Sequence, residues 1–202
     1  MKKESYGRNQ VVGEVFYLEY IGHDFVKSAK LLLEENDKKG GNGEYFNSIM
    51  LLASQAVELL PKSLIAVDIC LKRNNESLEE IRSAVNRKLS CLGHNIDDIF
   101  SEVAELKRAL KITKIKRVNN KNNANIFIDE FRIKIGAPKE QKQIRIKNLE
   151  GARYGMFAKN KDIGGYSPKD IKNVVDFLKK LSEETNKLRA NMITKFDKKL
   201  EK

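Results

Sequence analysis

Ile49-Met50-Leu51-Leu52-Ala53-Ser54-Gln55-Ala56-Val57-Glu58-Leu59-Leu60-Pro61-Lys62-Ser63-Leu64-Ile65-Ala66-Val67 is the stretch on which the fold turns. Its apolar residues fall nearly all round a helix rather than on one stripe. A helix of that kind, here spanning about Glu44 to Leu71, belongs at the centre of a bundle. Pro61 is expected to kink it, because proline lacks a donor and clashes with the preceding turn. Glu58 interrupts the apolar run, and a carboxylate buried there must pair or protonate.

Working outward, amphipathic helices flank this segment. Val15, Leu18, Gly22, Phe25, Ala29 and Leu32 recur at three- and four-residue steps and predict a helix from about Glu14 to Glu35. The cluster Lys38-Lys39-Gly40-Gly41-Asn42-Gly43 breaks it. A third helix covers Ser77 to Leu92, with Leu78, Ile81, Val85 and Leu89 on one face and Gly93 as its stop signal. Asn95 reads as the N-cap of a fourth helix through Leu110, its first turn complemented by Asp97 and Asp98. The last helix is signalled most fully. Ser167 caps it, Pro168 takes the first position and Asp170 the third, and Ile171, Val174, Leu178, Leu181 and Leu188 form its stripe. Its tail, Lys195 to Lys202, is expected to fray.

Between the fourth and last helices the pattern changes. Phe131, Ile133 and Ile135 alternate with Arg132 and Lys134, and Ile144 and Ile146 alternate with Arg145 and Lys147, on either side of Gly136-Ala137-Pro138. That period of two suggests a small basic β-hairpin near 126–149, or else a loop with short helical turns. The fold expected is therefore all-α. It is an up-down bundle of four to five helices in one domain over residues 1–202, with 112–150 a basic insertion.

Composition narrows the function. The chain has 202 residues, 41% of them hydrophobic, enough for a core without disulfide or metal staples. No apolar run approaches the roughly 20 residues of a membrane span. The opening Met1-Lys2-Lys3-Glu4-Ser5 lacks the apolar core of a signal peptide, so a cytoplasmic location without membrane contact is expected. Cys70 and Cys91 do not make a disulfide framework and read as reduced thiols. Lys+Arg 39 against Asp+Glu 28 gives a net charge of +11, which favours polyanionic partners, nucleic acid foremost. From Leu106 to Ile128 there is no acidic residue, while Lys107, Arg108, Lys111, Lys114, Lys116, Arg117 and Lys121 follow one another among asparagines. That run reads either as a flexible phosphate-gripping loop, blind to sequence for want of aromatic residues, or as a solvated connector.

Catalytic options are few. No phosphate-binding glycine loop, zinc-binding pair or nucleophile elbow occurs, a conventional hydrolase triad is not supported, and neither cofactor nor metal is implied. His23 reads as a partly exposed helix-face residue. His94 lies just before a helix start, where backbone donors and the positive helix end attract phosphate. Arg87 stands seven residues upstream. An Arg-His couple at such a junction could hold a scissile phosphate and shuttle its proton, the chemistry of metal-independent RNA cleavage; a structural role for His94 in the turn is the alternative.

Three segments together resemble a known family. Gln55-Ala56-Val57-Glu58-Leu59-Leu60-Pro61-Lys62-Ser63-Leu64 looks like the central helix of HEPN-domain proteins. Gly93-His94-Asn95-Ile96-Asp97-Asp98-Ile99-Phe100 is similar to their Gly-His-acidic-apolar junction, and Leu149-Glu150-Gly151-Ala152-Arg153-Tyr154-Gly155 to the Arg-Tyr segment before their final helix. The resemblance covers roughly residues 14–190 and implies a helical bundle, often a homodimer, in one of two groups. In one, Arg87 and His94 would form a ribonuclease site across the dimer, as in toxin–antitoxin and phage-defence proteins. In the other, the module is non-catalytic and binds RNA, nucleotide or a partner such as a nucleotidyltransferase or an antitoxin. The resemblance also makes Arg153 the candidate ion-pair partner of Glu58, and Arg153-Tyr154 a candidate lining for a nucleotide or RNA groove.

Overall fold

The computed structural model describes residues 2–121, 127–148 and 166–200. The chain is mostly helical, with a small three-stranded antiparallel sheet. Five helices come first: α1 (Lys2–Lys38), α2 (Phe46–Lys72), α3 (Leu78–Leu92), α4 (Ile96–Glu102) and α5 (Ala104–Ala109). The strands β1 (Ile112–Lys121), β2 (Phe127–Ile135) and β3 (Lys142–Asn148) follow, and α6 (Pro168–Leu200) ends the order.

α2 is the central element. Ile49, Met50, Ala53, Ala56, Val57 and Leu60 are fully buried, and α1, α3, α4, α6 and β3 all pack on it. The two serines this helix buries return their hydroxyls to its own backbone, Ser54 to the carbonyl of Leu51 at 2.9 Å and Ser63 to that of Leu60 at 2.7 Å. Pro61 lies inside the helix without ending it. By length and composition α2 is apolar enough to cross a membrane, contrary to the expectation from its sequence, yet 72% of its most apolar window is buried inside the protein. Against it, α1 packs closely at Gly22, where a Cβ would stand 2.8 Å from Leu60 Cδ2.

The helix ends follow their signals. Ser77 and Glu80 form a capping box on α3. Asn95 accepts from the backbone N–H of Asp97 at 3.2 Å. On α6, Ser167 Oγ accepts from the N–H of Asp170 at 3.2 Å while the Asp170 carboxylate accepts from the N–H of Ser167 at 3.0 Å. Three helices depart from expectation. α1 begins at Lys2 rather than near Glu14. α6 runs on to Leu200, through the tail expected to fray. The fourth helix is two, broken at Val103, with Phe100 buried before the break and Leu106 after it. The local signal is Ser101, whose hydroxyl donates back to the carbonyl of Asp97 at 2.8 Å, a bond that bends helices.

β2 and β3 form the hairpin expected near 126–149, joined through a short 3-10 turn at Pro138–Glu140, and β1 adds a third antiparallel strand to it. Phe131 pairs with Ile146 and Ile133 with Ile144, the register that the alternation of residues requires. β1, read from sequence as loop or connector, pairs along the other side of β2. A register shift between Ile112 and Lys114 places one extra residue in β1, so that Ile112 and Ile115, three apart, both face the core. Lys121 ends β1, and the asparagines Asn122 and Asn123 lie outside the described residues.

Candidate functional site

Gly93 ends α3 with φ +51°, a conformation glycine adopts without a Cβ penalty, and the chain turns there so that His94 meets α2. His94 Nδ1 stands 2.8 Å from Glu58 Oε2. The other carboxylate oxygen of Glu58 accepts from Lys62 Nζ at 2.7 Å, one turn along the same helix. The side chains of Glu58 and Lys62 are 13% and 10% exposed, whereas that of His94 is 54% exposed. A nearly buried, charge-paired carboxylate thus holds an imidazole that opens to solvent. Such a carboxylate fixes the orientation of the ring and favours the tautomer protonated on Nδ1.

Arg87 is exposed on α3 and makes no ion pair among the described residues. It lies about 160–240° around the helix from Ile81, Val85, Leu89 and Leu92, the residues that α3 turns inward. Within one protomer Arg87 therefore points away from the side on which His94 meets Glu58. The two candidate catalytic residues are both on the surface but are not brought together by a single chain. Glu58, expected to pair with Arg153, is held by Lys62 and His94; Arg153 and Tyr154 lie outside the described residues.

The basic run is distributed over three elements. Lys107 and Arg108 end α5, and Lys107 faces Asp97 at 3.9 Å. Lys111 turns the chain with φ +55°. Lys114, Lys116 and Arg117 lie exposed on β1. The register sets Lys114 beside Lys134, and Lys116 beside Arg132, which in turn neighbours Arg145. One face of the sheet buries Ile112, Ile115, Phe131, Ile133, Ile144 and Ile146. The opposite face carries Lys114, Lys116, Arg132, Lys134 and Arg145, five basic side chains at β-sheet spacing.

A single buried carboxylate organises that face. Glu130, 1% exposed, accepts from Arg132 Nε at 2.6 Å and from Arg145 Nε and Nη2 at 3.1 and 2.9 Å. Burial pushes its carboxyl up, but the bonds from Arg145 and Arg132 outweigh this and hold it below the usual carboxylate range. The same bond raises Arg145 further. Tyr166 lies against the Arg145 guanidinium, 5.5 Å from ring centroid to Cζ. Sequence reading found the Arg132, Lys134 and Arg145 alternation as a strand signal without assigning it to a binding face.

A third polar cluster had only the one-turn spacing of Glu19 and His23 as a local signal. His23 on α1 reaches Ser182 on α6, 159 residues away in sequence. The cysteines are unpaired; Cys70 is buried, which pushes its thiol up to about 11, and Cys91 is exposed. Beside these clusters, a groove of about 590 Å³ runs between α2, α3, α5 and α6, floored by Leu64, Ile69, Val103 and Met192. Among the described residues no three His, Cys, Asp or Glu side chains gather as metal ligands would. Set against known proteins, the chain matches no family model, no curated protein and no solved structure.

Proposed function

We propose that this is an HEPN-like, RNA-associated protein that grips the phosphate backbone on the basic face of its sheet and cleaves it with Arg87 and His94. The observation that carries the reading is the Glu58 carboxylate 2.8 Å from His94 Nδ1, because an oriented, solvent-facing imidazole is equipped for proton transfer. In this chemistry the RNA 2′-hydroxyl attacks the adjacent phosphorus while His94 takes its proton. The bond from phosphorus to the 5′-oxygen breaks, the proton goes to that oxygen, and a cyclic phosphate remains. Arg87 offsets the charge that builds on the phosphate. Because Arg87 and His94 diverge within one chain, the active form is a homodimer in which one protomer supplies each.

Incubation with mixed single-stranded RNA in EDTA tests this. Products ending in cyclic phosphate are expected, with the rate lowered roughly 10²–10⁴-fold in His94→Ala and comparably in Arg87→Ala. The divergence of Arg87 and His94 favours one second reading, a non-catalytic RNA- or nucleotide-binding module that accompanies a nucleotidyltransferase or antitoxin. RNA that binds but stays intact supports that module and removes the catalytic assignment.

A further inference from the structure

The seam between α1 and α6 holds an ordered chain of polar groups that RNA chemistry does not use. His23 Nδ1 is 2.7 Å from Ser182 Oγ. On the far side of the ring, Nε2 is 3.2 Å from Glu19 Oε1 and 3.1 Å from Asn186 Oδ1. Glu19 is buried, and its second oxygen lies 3.2 Å from Arg189 Nη1.

The direction of these bonds follows from the acceptors. A carboxylate oxygen accepts only, so Nε2 carries the proton and donates to Glu19. In the neutral ring Nδ1 is then the lone-pair nitrogen, and the Ser182 hydroxyl donates to it. That is the polarity of an activated nucleophile: hydroxyl to imidazole base, imidazole to buried carboxylate. The other serine hydroxyls with resolved bonds in mid-helix behave differently. Those of Ser54, Ser63 and Ser101 return to carbonyls of their own helices. Ser182 has its hydroxyl turned across the seam to a base.

A tie that merely fastened α1 to α6 would leave few polar atoms idle, since buried groups ordinarily find partners. Here Thr185 Oγ1 and Arg189 Nε are buried without a hydrogen bond among the described residues, while Glu19 Oε2 is held only by its ion pair with Arg189. Ser182 and His23 are both partly exposed, so a small molecule can reach the hydroxyl from solvent.

We propose that Ser182 is an acyl-accepting nucleophile, with His23 its general base and Glu19 the group that positions His23, acting on small unhindered carboxylic esters. Ser182 Oγ bonds to the carbonyl carbon, its proton passing to His23 Nδ1. The carbon–alkoxide bond then breaks, and the alkoxide leaves as an alcohol with that proton. Water reverses the sequence: Nδ1 takes a water proton, the hydroxide oxygen bonds to the acyl carbon, and Ser182 recovers its proton as the carboxylic acid departs.

An alkyl fluorophosphonate tests the site on the intact chain without a known substrate. Its phosphorus bonds to Oγ and loses fluoride, the Oγ proton leaving with the fluoride. Mass spectrometry with peptide mapping is expected to find one adduct, on Ser182, absent in Ser182→Ala. In His23→Gln that retains the wild-type circular dichroism, the labelling rate is expected to fall roughly 10²-fold or more. An unlabelled Ser182 in wild-type protein at saturating probe overturns the proposal without reference to any variant. Labelling that persists undiminished in folded His23→Gln overturns it as well.

Discussion

Gly22 sits where α1 crosses α2, and a Cβ placed there would lie 2.8 Å from both Cγ and Cδ2 of the fully buried Leu60. In sequence Gly22 counted as one member of an apolar stripe, and in the structure it is a position where α1 lies directly against Leu60. Glycine costs an isolated helix about 1 kcal/mol relative to alanine, so replacement would help α1 alone. The packing term opposes this, because a Cβ there overlaps Leu60, which is fully buried. Gly22→Val is expected to lower the free energy of unfolding by about 1–3 kcal/mol, read as a shift of the urea midpoint at constant slope. An unchanged or raised midpoint would mean that the crossing is looser than the distance implies. At the same scale, His94 and His23 contrast instructively. Both ring orientations are set by a glutamate, yet only His94 announced itself, through the Gly93 and Asn95 flanking it. His23 depends on Ser182 and Asn186 of a distant helix, a pairing that no local pattern encodes.

For the sheet, the charged element is also a structural one. Glu130 joins β2 to β3 by bonding Arg132 beside it and Arg145 across the strand pair. Its carboxyl is held below the usual range, so the folded state favours the ionised form more strongly than the unfolded chain does. The stability it contributes is therefore present above the unfolded-state pKa and is lost as pH falls through the lower, folded-state value. Glu130→Gln is expected to cost roughly 1–3 kcal/mol near neutral pH, since it leaves two guanidiniums short of an anion, and to flatten the loss of stability on acidification. Urea titrations of both proteins from pH 7 to pH 3 measure it; parallel curves would contradict the coupling. This element also shows where sequence reading stops. The alternation in Phe131–Ile135 and Ile144–Ile146 was legible because its period belongs to a strand with one buried face. β1 was not, because a bulge breaks its alternation and a dense run of lysines and asparagines masks Ile112 and Ile115. The division of the fourth helix at Val103 was hidden for a similar reason: the apolar positions on both sides fit one continuous helical face, and only Ser101 hints at the break.

Over the whole molecule, the net charge of +11 is not spread evenly. α1 and α6 carry many of their charges in pairs along the helix, such as Lys30 with Glu34 and Lys172 with Asp176. Among the described side chains, the outer face of the sheet sets five cations against the carboxylate of Glu130. Charge of one sign, fixed on a rigid strand lattice, is what binds a phosphate chain without reading its bases. The central helix was recognisable from its apolar run alone, and with it the helical majority of the fold. The placement of the basic face was not, since it depends on the register of three strands. The measurement closest to the central claim is the salt dependence of binding to a single-stranded RNA, comparing wild type with Lys114→Gln/Lys116→Gln, two exposed positions outside the Glu130 cluster. At roughly 0.7 per phosphate neutralised, removing two contacts is expected to reduce the slope of log Kobs against log salt by about 1.4. Weaker binding with that smaller slope is the predicted result. An unchanged slope, or no binding by the wild-type protein at low salt, would contradict the account.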